Sequence, residues 1–327
     1  TMSSSTLWAQ FQSGGWAACD QHLAITAGDR HYLSVLAASA GDWVSAARLA
    51  QAALAAEPES LLLAEAARYL ARRAQGQRDV AYADGDTVDG AAAFAAFVRG
   101  GGNVPLYAAV SAALREKHQA LAQALSRPLD VLDIGVGDGR ALLPALSDAV
   151  ANLTLVEPAT AMLDECLAAL NAIGRTASNH TQSVQEFLAG SREKWDLAEA
   201  TFSLQSLAPE PRLEVLTRLR GRCRRLLIVE FDVAEFAHDL APDRVLHFRE
   251  SFETGLAEYT EPERDLIARG FLMPVYFGYF DPGAERVNHE HNLRRWVEQL
   301  QTAGYEKVRC SVLYRYWWAP AYLIDAA

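Results

Sequence analysis

From Pro128 onward, short apolar runs alternate with longer stretches in which apolar residues recur every three or four positions. That rhythm predicts strands alternating with helices, hence a mostly parallel sheet covered on both faces. The predicted strands are 131–134, 153–156, a weak one near Thr181, 197–201 and 226–231. Residues 232–288 follow the fifth strand and are too long for a simple crossover, which marks an insertion. A helix from about 291 to 303 then precedes two last strands, near 308–314 and 318–324. The expected sheet has seven strands.

The N-terminal part has a different pattern. It is rich in Ala and Leu at helical spacing. Gly41-Asp42-Trp43 opens a predicted helix to about 56, Glu57-Pro58-Glu59-Ser60 breaks it, and a second helix runs over 61–73. The pair resembles one tetratricopeptide-like hairpin, which alone cannot bury its apolar face. Residues 1–75 are therefore expected to form a helical cap, followed by connector and lid helices over 76–127 and an α/β domain over 128–327. Within the connector, 75–90 is polar and a short helix over 91–98 ends at Arg99-Gly100-Gly101-Gly102. Asn103 is placed to cap a helix carrying Tyr107 and running to about Leu125. Three glycines at that point permit either a close approach of the backbone to another group or a hinge.

Composition narrows the partners. There are 41 acidic and 30 basic residues, and the net charge of -11 argues against a grip on a phosphate backbone, so no nucleic acid is expected. The 4 cysteines, Cys19, Cys166, Cys223 and Cys310, lack metal-ligand spacing and read as reduced, packed thiols. Thr1–Ser5 is polar, no signal peptide is visible, and no apolar run has the length of a bilayer span. A cytoplasmic protein with no membrane partner is the expectation, with a homodimer left open.

The chemistry concentrates at Asp133-Ile134-Gly135-Val136-Gly137-Asp138-Gly139, at the end of one strand and the start of a helix. The spacing is acidic-x-Gly-x-Gly-x-Gly, not the Gly-x-Gly-x-x-Gly of dinucleotide binders. A pyrophosphate disfavours a carboxylate beside it, whereas a ligand with sulfonium and ammonium charges tolerates one. The next strand ends at Glu157-Pro158, where a carboxylate can accept hydrogen bonds from both ribose hydroxyls. Met162, a few residues on, suits either an adenine face or ordinary core packing.

On these motifs, a Gly304-Tyr305 turn and the strand order, the chain over about 129–323 resembles the class I S-adenosylmethionine-dependent methyltransferases. The resemblance implies an α/β, Rossmann-like methyltransferase fold with an N-terminal all-helical extension, and S-adenosylmethionine as cofactor. It implies that Asp133, Gly135, Gly137 and Gly139 surround the methionine part, that Glu157 binds ribose, and that Ser183 and Val184 border the adenine. Members often carry an acidic residue near the position of Ser183, which this chain lacks. The segment Thr201-Phe202-Ser203-Leu204-Gln205 takes the place that faces the transferable methyl. It lacks the Asn/Asp-Pro-Pro-aromatic motif of enzymes that methylate adenine or glutamine. Glu230 and Asp232 have no convincing third ligand for a catechol-type metal site, so no metal is expected.

His289 and His291 flank Glu290 at i, i+2 spacing, which does not suit a helix-borne zinc site. His289 can instead serve as base or orienter, or as part of a helix cap. Tyr276, Phe277, Tyr279, Phe280, Tyr314, Tyr316, Trp317 and Trp318 can surround a sulfonium or simply pack. The expected function is methyl transfer to a small molecule, in specialised metabolism. Tyr107, Ser203 and His289 are the candidate catalytic residues, with Asn103, Met162 and Phe202 added to the cofactor contacts. The alternative is the reaction of azetidine-2-carboxylate synthases, in which the cofactor's own amine displaces methylthioadenosine. A non-enzymatic module built on the hairpin is disfavoured by the glycine loop and its ribose carboxylate.

Overall fold

The computed structural model describes residues 4–19, 26–77 and 88–327. Most of the predicted polar connector, 78–87, lies outside them. The chain divides into two compact units, one of Thr1–Val104 with Phe236–Glu285, the other of Pro105–Glu235 with Arg286–Ala327. The segment read as an insertion thus supplies much of the first unit.

The first unit is helical. The hairpin Trp43–Ala56 and Leu61–Ala74 forms as its pattern predicts, with Asp42 and Ser60 as N-caps accepting from Ser45 and Leu63 amides. The hairpin does not stand alone: Ala27–Ser39 precedes it and Pro242–Ala257 covers it. Glu253 accepts hydrogen bonds from Ser60 Oγ and from the Leu61 and Leu62 amides, at 2.7, 2.8 and 2.8 Å. A carboxylate on orphan amides at a helix N-terminus is favourable both as hydrogen-bond acceptor and against the helix dipole. Tyr69 stacks on Phe277 at 4.8 Å, and His31 Nε2 lies 2.7 Å from Tyr276 Oη in the buried core. Most of the aromatic run at 276–280 is spent here: Tyr276, Phe277 and Phe280 are buried.

The three-glycine turn closes on protein. A Cβ on Gly100, Gly101 or Gly102 would come within 2.9 Å of Glu258 or Tyr259 side-chain atoms. Glu258 accepts from the Gly102 amide at 2.7 Å. Asn103 is not the side-chain cap expected: the helix Asn103–Leu125 begins at this residue, and its side-chain Nδ2 donates to Phe97 O at 2.9 Å.

The second unit holds a 7-stranded sheet in the order β3-β2-β1-β4-β5-β7-β6. The strands are β1 Leu129–Ile134, β2 Val150–Val156, β3 Ser178–His180, β4 Trp195–Thr201, β5 Cys223–Phe231, β6 Val308–Arg315 and β7 Pro320–Ala326. Strands β1 to β5 pair in parallel and β7 is antiparallel to both its neighbours. Central strands β1 and β4 are almost wholly buried, as expected of a sheet flanked by helices on both faces. No helix among the described residues is long and apolar enough to cross a membrane.

Candidate functional site

Strand order reverses between β1 and β4, and ligands of open α/β sheets bind outside the carboxyl ends of the strands at such a point. The glycine loop lies there. Gly135, Gly137 and Gly139 all have positive φ, +69°, +57° and +81°. Their surroundings differ. A Cβ on Gly135 would lie 2.4 Å from Ser203 Cβ, and one on Gly139 would lie 2.3 Å from Leu143 Cδ1. These two glycines let the loop pack against β4's end and the following helix. Gly137 meets only Met162 Cε, at 3.4 Å, so its face of the loop is open to a ligand.

Glu157, one residue beyond β2, is 7% exposed and is held by the loop itself. Its Oε2 accepts from the Gly137 amide at 3.0 Å and its Oε1 from the Ala159 amide at 2.9 Å. Each carboxylate oxygen has two acceptor sites, so both retain one for a further donor. Met162 is half-buried in the first turn of Thr160–Ala172. Ser183 caps Val184–Gly190 in a reciprocal box with Glu186, and Val184 is buried in the core.

Beyond β4, Phe202 has φ +50° and stacks on Phe231 at 4.4 Å, which in turn stacks on Tyr316 at 5.4 Å. Tyr107 presents its ring edge to Phe202 at 6.1 Å and takes the Arg140 guanidinium over its face at 5.7 Å. Burial pushes the Tyr107 hydroxyl up to about 12, so it is a donor at neutral pH. Ser203 Oγ donates to Ile134 O at 2.6 Å, which ties the β4 end to the β1 end.

The segment before the last helix is anchored through its backbone. The His289 amide donates to Gln205 O at 2.7 Å, and its carbonyl accepts from Arg212 Nη1 at 3.0 Å. Burial and the charges of Arg212 and Arg286 lower the His289 imidazole, which leaves it neutral at pH 7. Burial and Arg212 bring His291 down to about 4. Glu230, 2% exposed at the end of β5, accepts the Gln205 amide at 3.3 Å. Burial and the nearby Glu290 raise it to about 8, so its carboxyl is largely protonated at pH 7.

The second unit therefore brings together Tyr107, Asp133, the three glycines, Glu157, Met162, Phe202 and Ser203 around the ends of β1, β2 and β4. Asn103 is assigned to the first unit, where Phe97 O and Tyr259 Oη engage its amide. Sequence reasoning missed Glu199 and His118. Both are fully buried, with His118 Nε2 2.6 Å from Glu199 Oε2. The signal was present: Glu199 is a carboxylate inside the otherwise apolar run Leu197-Ala198-Glu199-Ala200.

Among solved structures, magnesium protoporphyrin IX methyltransferase of Synechocystis PCC 6803, with bound S-adenosylhomocysteine, aligns over 78% of this chain and 90% of that one. Identity is 16% and the TM-score 0.45. The 1,6-didemethyltoxoflavin-N1-methyltransferase of Burkholderia thailandensis aligns over 66% of this chain and 78% of its own, at 18% identity and a TM-score of 0.43. The plantazolicin methyltransferase BpumL aligns over 74% and 91%, at 13% identity and a TM-score of 0.46. No protein-family model and no curated protein matches the chain.

Proposed function

We propose that the chain is an S-adenosylmethionine-dependent methyltransferase acting on a small molecule of specialised metabolism. The observation that carries this is the open face of the loop at Gly137, bonded to a buried Glu157 that keeps acceptor capacity. A Cβ at Gly137 would stand in that space, and a pair of ribose hydroxyls would find two charged acceptor oxygens beside it. Asp133, Gly135 and Gly139 complete the loop around the methionine end, Met162 borders the nucleoside, and Ser183 with Val184 lie at the adenine end.

Bound S-adenosylmethionine would supply an electrophilic methyl on a positively charged sulfur. The chain's own contribution is alignment, exclusion of water and control of one proton. Phe202 and Tyr107 offer aromatic surface that suits a cation. Ser203 fixes the spacing between the β1 and β4 ends. His289, kept neutral, and Tyr107, kept protonated, are the groups suited to accept or donate a proton at an acceptor.

The test is incubation with S-adenosylmethionine followed by mass analysis, with and without a panel of small amines, phenols and carboxylic acids. S-Adenosylhomocysteine formed with an acceptor supports methyl transfer. Methylthioadenosine formed without one would replace it by cyclisation of the cofactor. Absence of binding by calorimetry would remove both.

A further inference from the structure

Under the glycine loop, three titratable side chains are buried together. Asp133 on β1 and Glu199 on β4 are direct partners in the parallel register, so their side chains leave the sheet on one face. His118, from the helix Asn103–Leu125, meets Glu199 Oε2 at 2.6 Å on that face. Asp133, Glu199 and His118 are 5%, 1% and 0% exposed. Glu199 Oε1 receives no N–H donor, and Asp133, its neighbour across the β1–β4 register, interacts with the Glu199 side chain.

Net charge constrains the proton state. With all three ionised, the cluster would hold one uncompensated negative charge out of water, a large penalty. With the His118 ring charged, one proton shared between the two carboxyls makes the cluster neutral. The surroundings act the same way. Burial, Glu199 and then Glu157 raise Asp133 well above the usual carboxylate range. Burial alone would lower His118, but the charge and hydrogen bond of Glu199 raise it. The other charged or titratable groups near the cluster are Arg115 on the His118 helix, Cys166 on Thr160–Ala172, and Asp138 in the loop.

We propose that Glu199 and His118 are positioning residues that hold Asp133 protonated until a cationic ligand binds, so that binding releases a proton. This rests on the loop being the S-adenosylmethionine site. As the ligand's positive charge arrives beside the loop, the shared proton leaves the Asp133–Glu199 pair for solvent. The cluster ends one charge more negative and the ligand's charge is matched. Buried charge is thus present only when it has a partner, and the empty loop keeps a neutral core.

The test is calorimetry at pH 6.5, where an α-ammonium stays protonated, titrating S-adenosylmethionine in phosphate and in Tris. The difference in heat between buffers counts protons. The expectation is release of about one proton per ligand bound. In Asp133→Asn the group that gives up the proton is gone and release falls towards zero, whereas in Glu199→Gln the His118 ring loses its counter-charge and titrates lower than in the wild type. In parallel, nitrogen-15 NMR of the ligand-free wild-type protein should show the His118 ring titrating above 6.5. Ligand binding without proton exchange, or a His118 ring already neutral at pH 6.5, overturns the proposal. No binding at all overturns the cofactor reading, and the His118 titration still reports whether the charged cluster exists.

Discussion

Two glycine-rich segments of this chain look alike as sequence and serve opposite purposes. At Gly100-Gly101-Gly102 the absent side chains are replaced by protein, since Glu258 and Tyr259 occupy the space a Cβ would need. At Gly135, Gly137 and Gly139 the two outer glycines pack in the same way, but the middle one opens onto little beyond Met162 Cε. A run of glycines signals close approach without saying to what. The approaching group is protein where the neighbours are already within contact, and where they are not the space beside the backbone is left open.

Substitutions sharpen that contrast. The largest effect is expected from Gly139→Val, whose Cβ would collide with Leu143 and Cys166 at φ +81°. Overpacking and left-handed strain together should cost about 3 kcal/mol or more, read as a large fall in melting temperature. A variant that melts like the wild type would mean that the loop is not packed there. Gly137→Val comes next and should separate binding from folding. Its backbone strain costs about 1–2 kcal/mol, whereas cofactor affinity should fall at least about 100-fold, or about 2.7 kcal/mol. Global unfolding by circular dichroism would make Gly137 structural, like its neighbours.

Acid should distinguish the two units through their buried groups. His31, buried against Tyr276, is lowered to about 3 by burial and the charge of Arg249. Its unfolded counterpart binds a proton below about 6.5, so its contribution is whole above that pH and is lost as pH falls towards 3. Glu230 has the opposite sign. Raised to about 8, it makes the folded state less stable as pH climbs from its unfolded value through 8. His31→Gln should therefore flatten the acid limb of the melting profile, and Glu230→Gln the alkaline limb. Parallel profiles for wild type and variants would refute these assignments. The smallest effect on cofactor affinity is expected from Gly101→Ala, where the Glu258 carboxylate and the buried Tyr259 ring both lie within 2.9 Å of a Cβ. A stability loss beyond the about 1–2 kcal/mol of backbone strain, since the Tyr259 ring must also shift, with unchanged cofactor affinity would confirm that this segment closes on protein alone.

Much of the sheet was legible because its central strands are near-continuous apolar runs buried on both faces, whereas β3 and β6 are largely exposed. The predicted β1, β2, β4 and β5 fall inside the observed ones, and the antiparallel pair at the C-terminus lies within two residues of expectation. The helices Trp43–Ala56, Leu61–Ala74 and Asn103–Leu125 were also readable from capping and Pro/Gly punctuation. What local pattern could not give was long-range pairing. Glu253 capping a helix nearly two hundred residues earlier, and Glu258 filling the glycine turn, depend on the return of 236–285 to the N-terminal helices. The buried His118–Glu199 pair was hidden for the same reason, since 81 positions separate its members. Asn103 was misjudged because a good capping residue beside glycines outweighed, in sequence, a side chain whose partner Phe97 O lay behind it.

Whether Glu157 and the open loop hold S-adenosylmethionine is decided by calorimetry with S-adenosylhomocysteine on wild type and Glu157→Ala. Saturable binding is expected for the wild type, with a loss of about 1–3 kcal/mol in the variant as ribose hydroxyls lose a carboxylate acceptor. Because Glu157 also accepts from the Gly137 and Ala159 amides, the variant's melting curve is recorded alongside to establish that it remains folded. Equal affinity in a folded Glu157→Ala protein, or no heat of binding in the wild type, would remove Glu157 and the loop from cofactor binding.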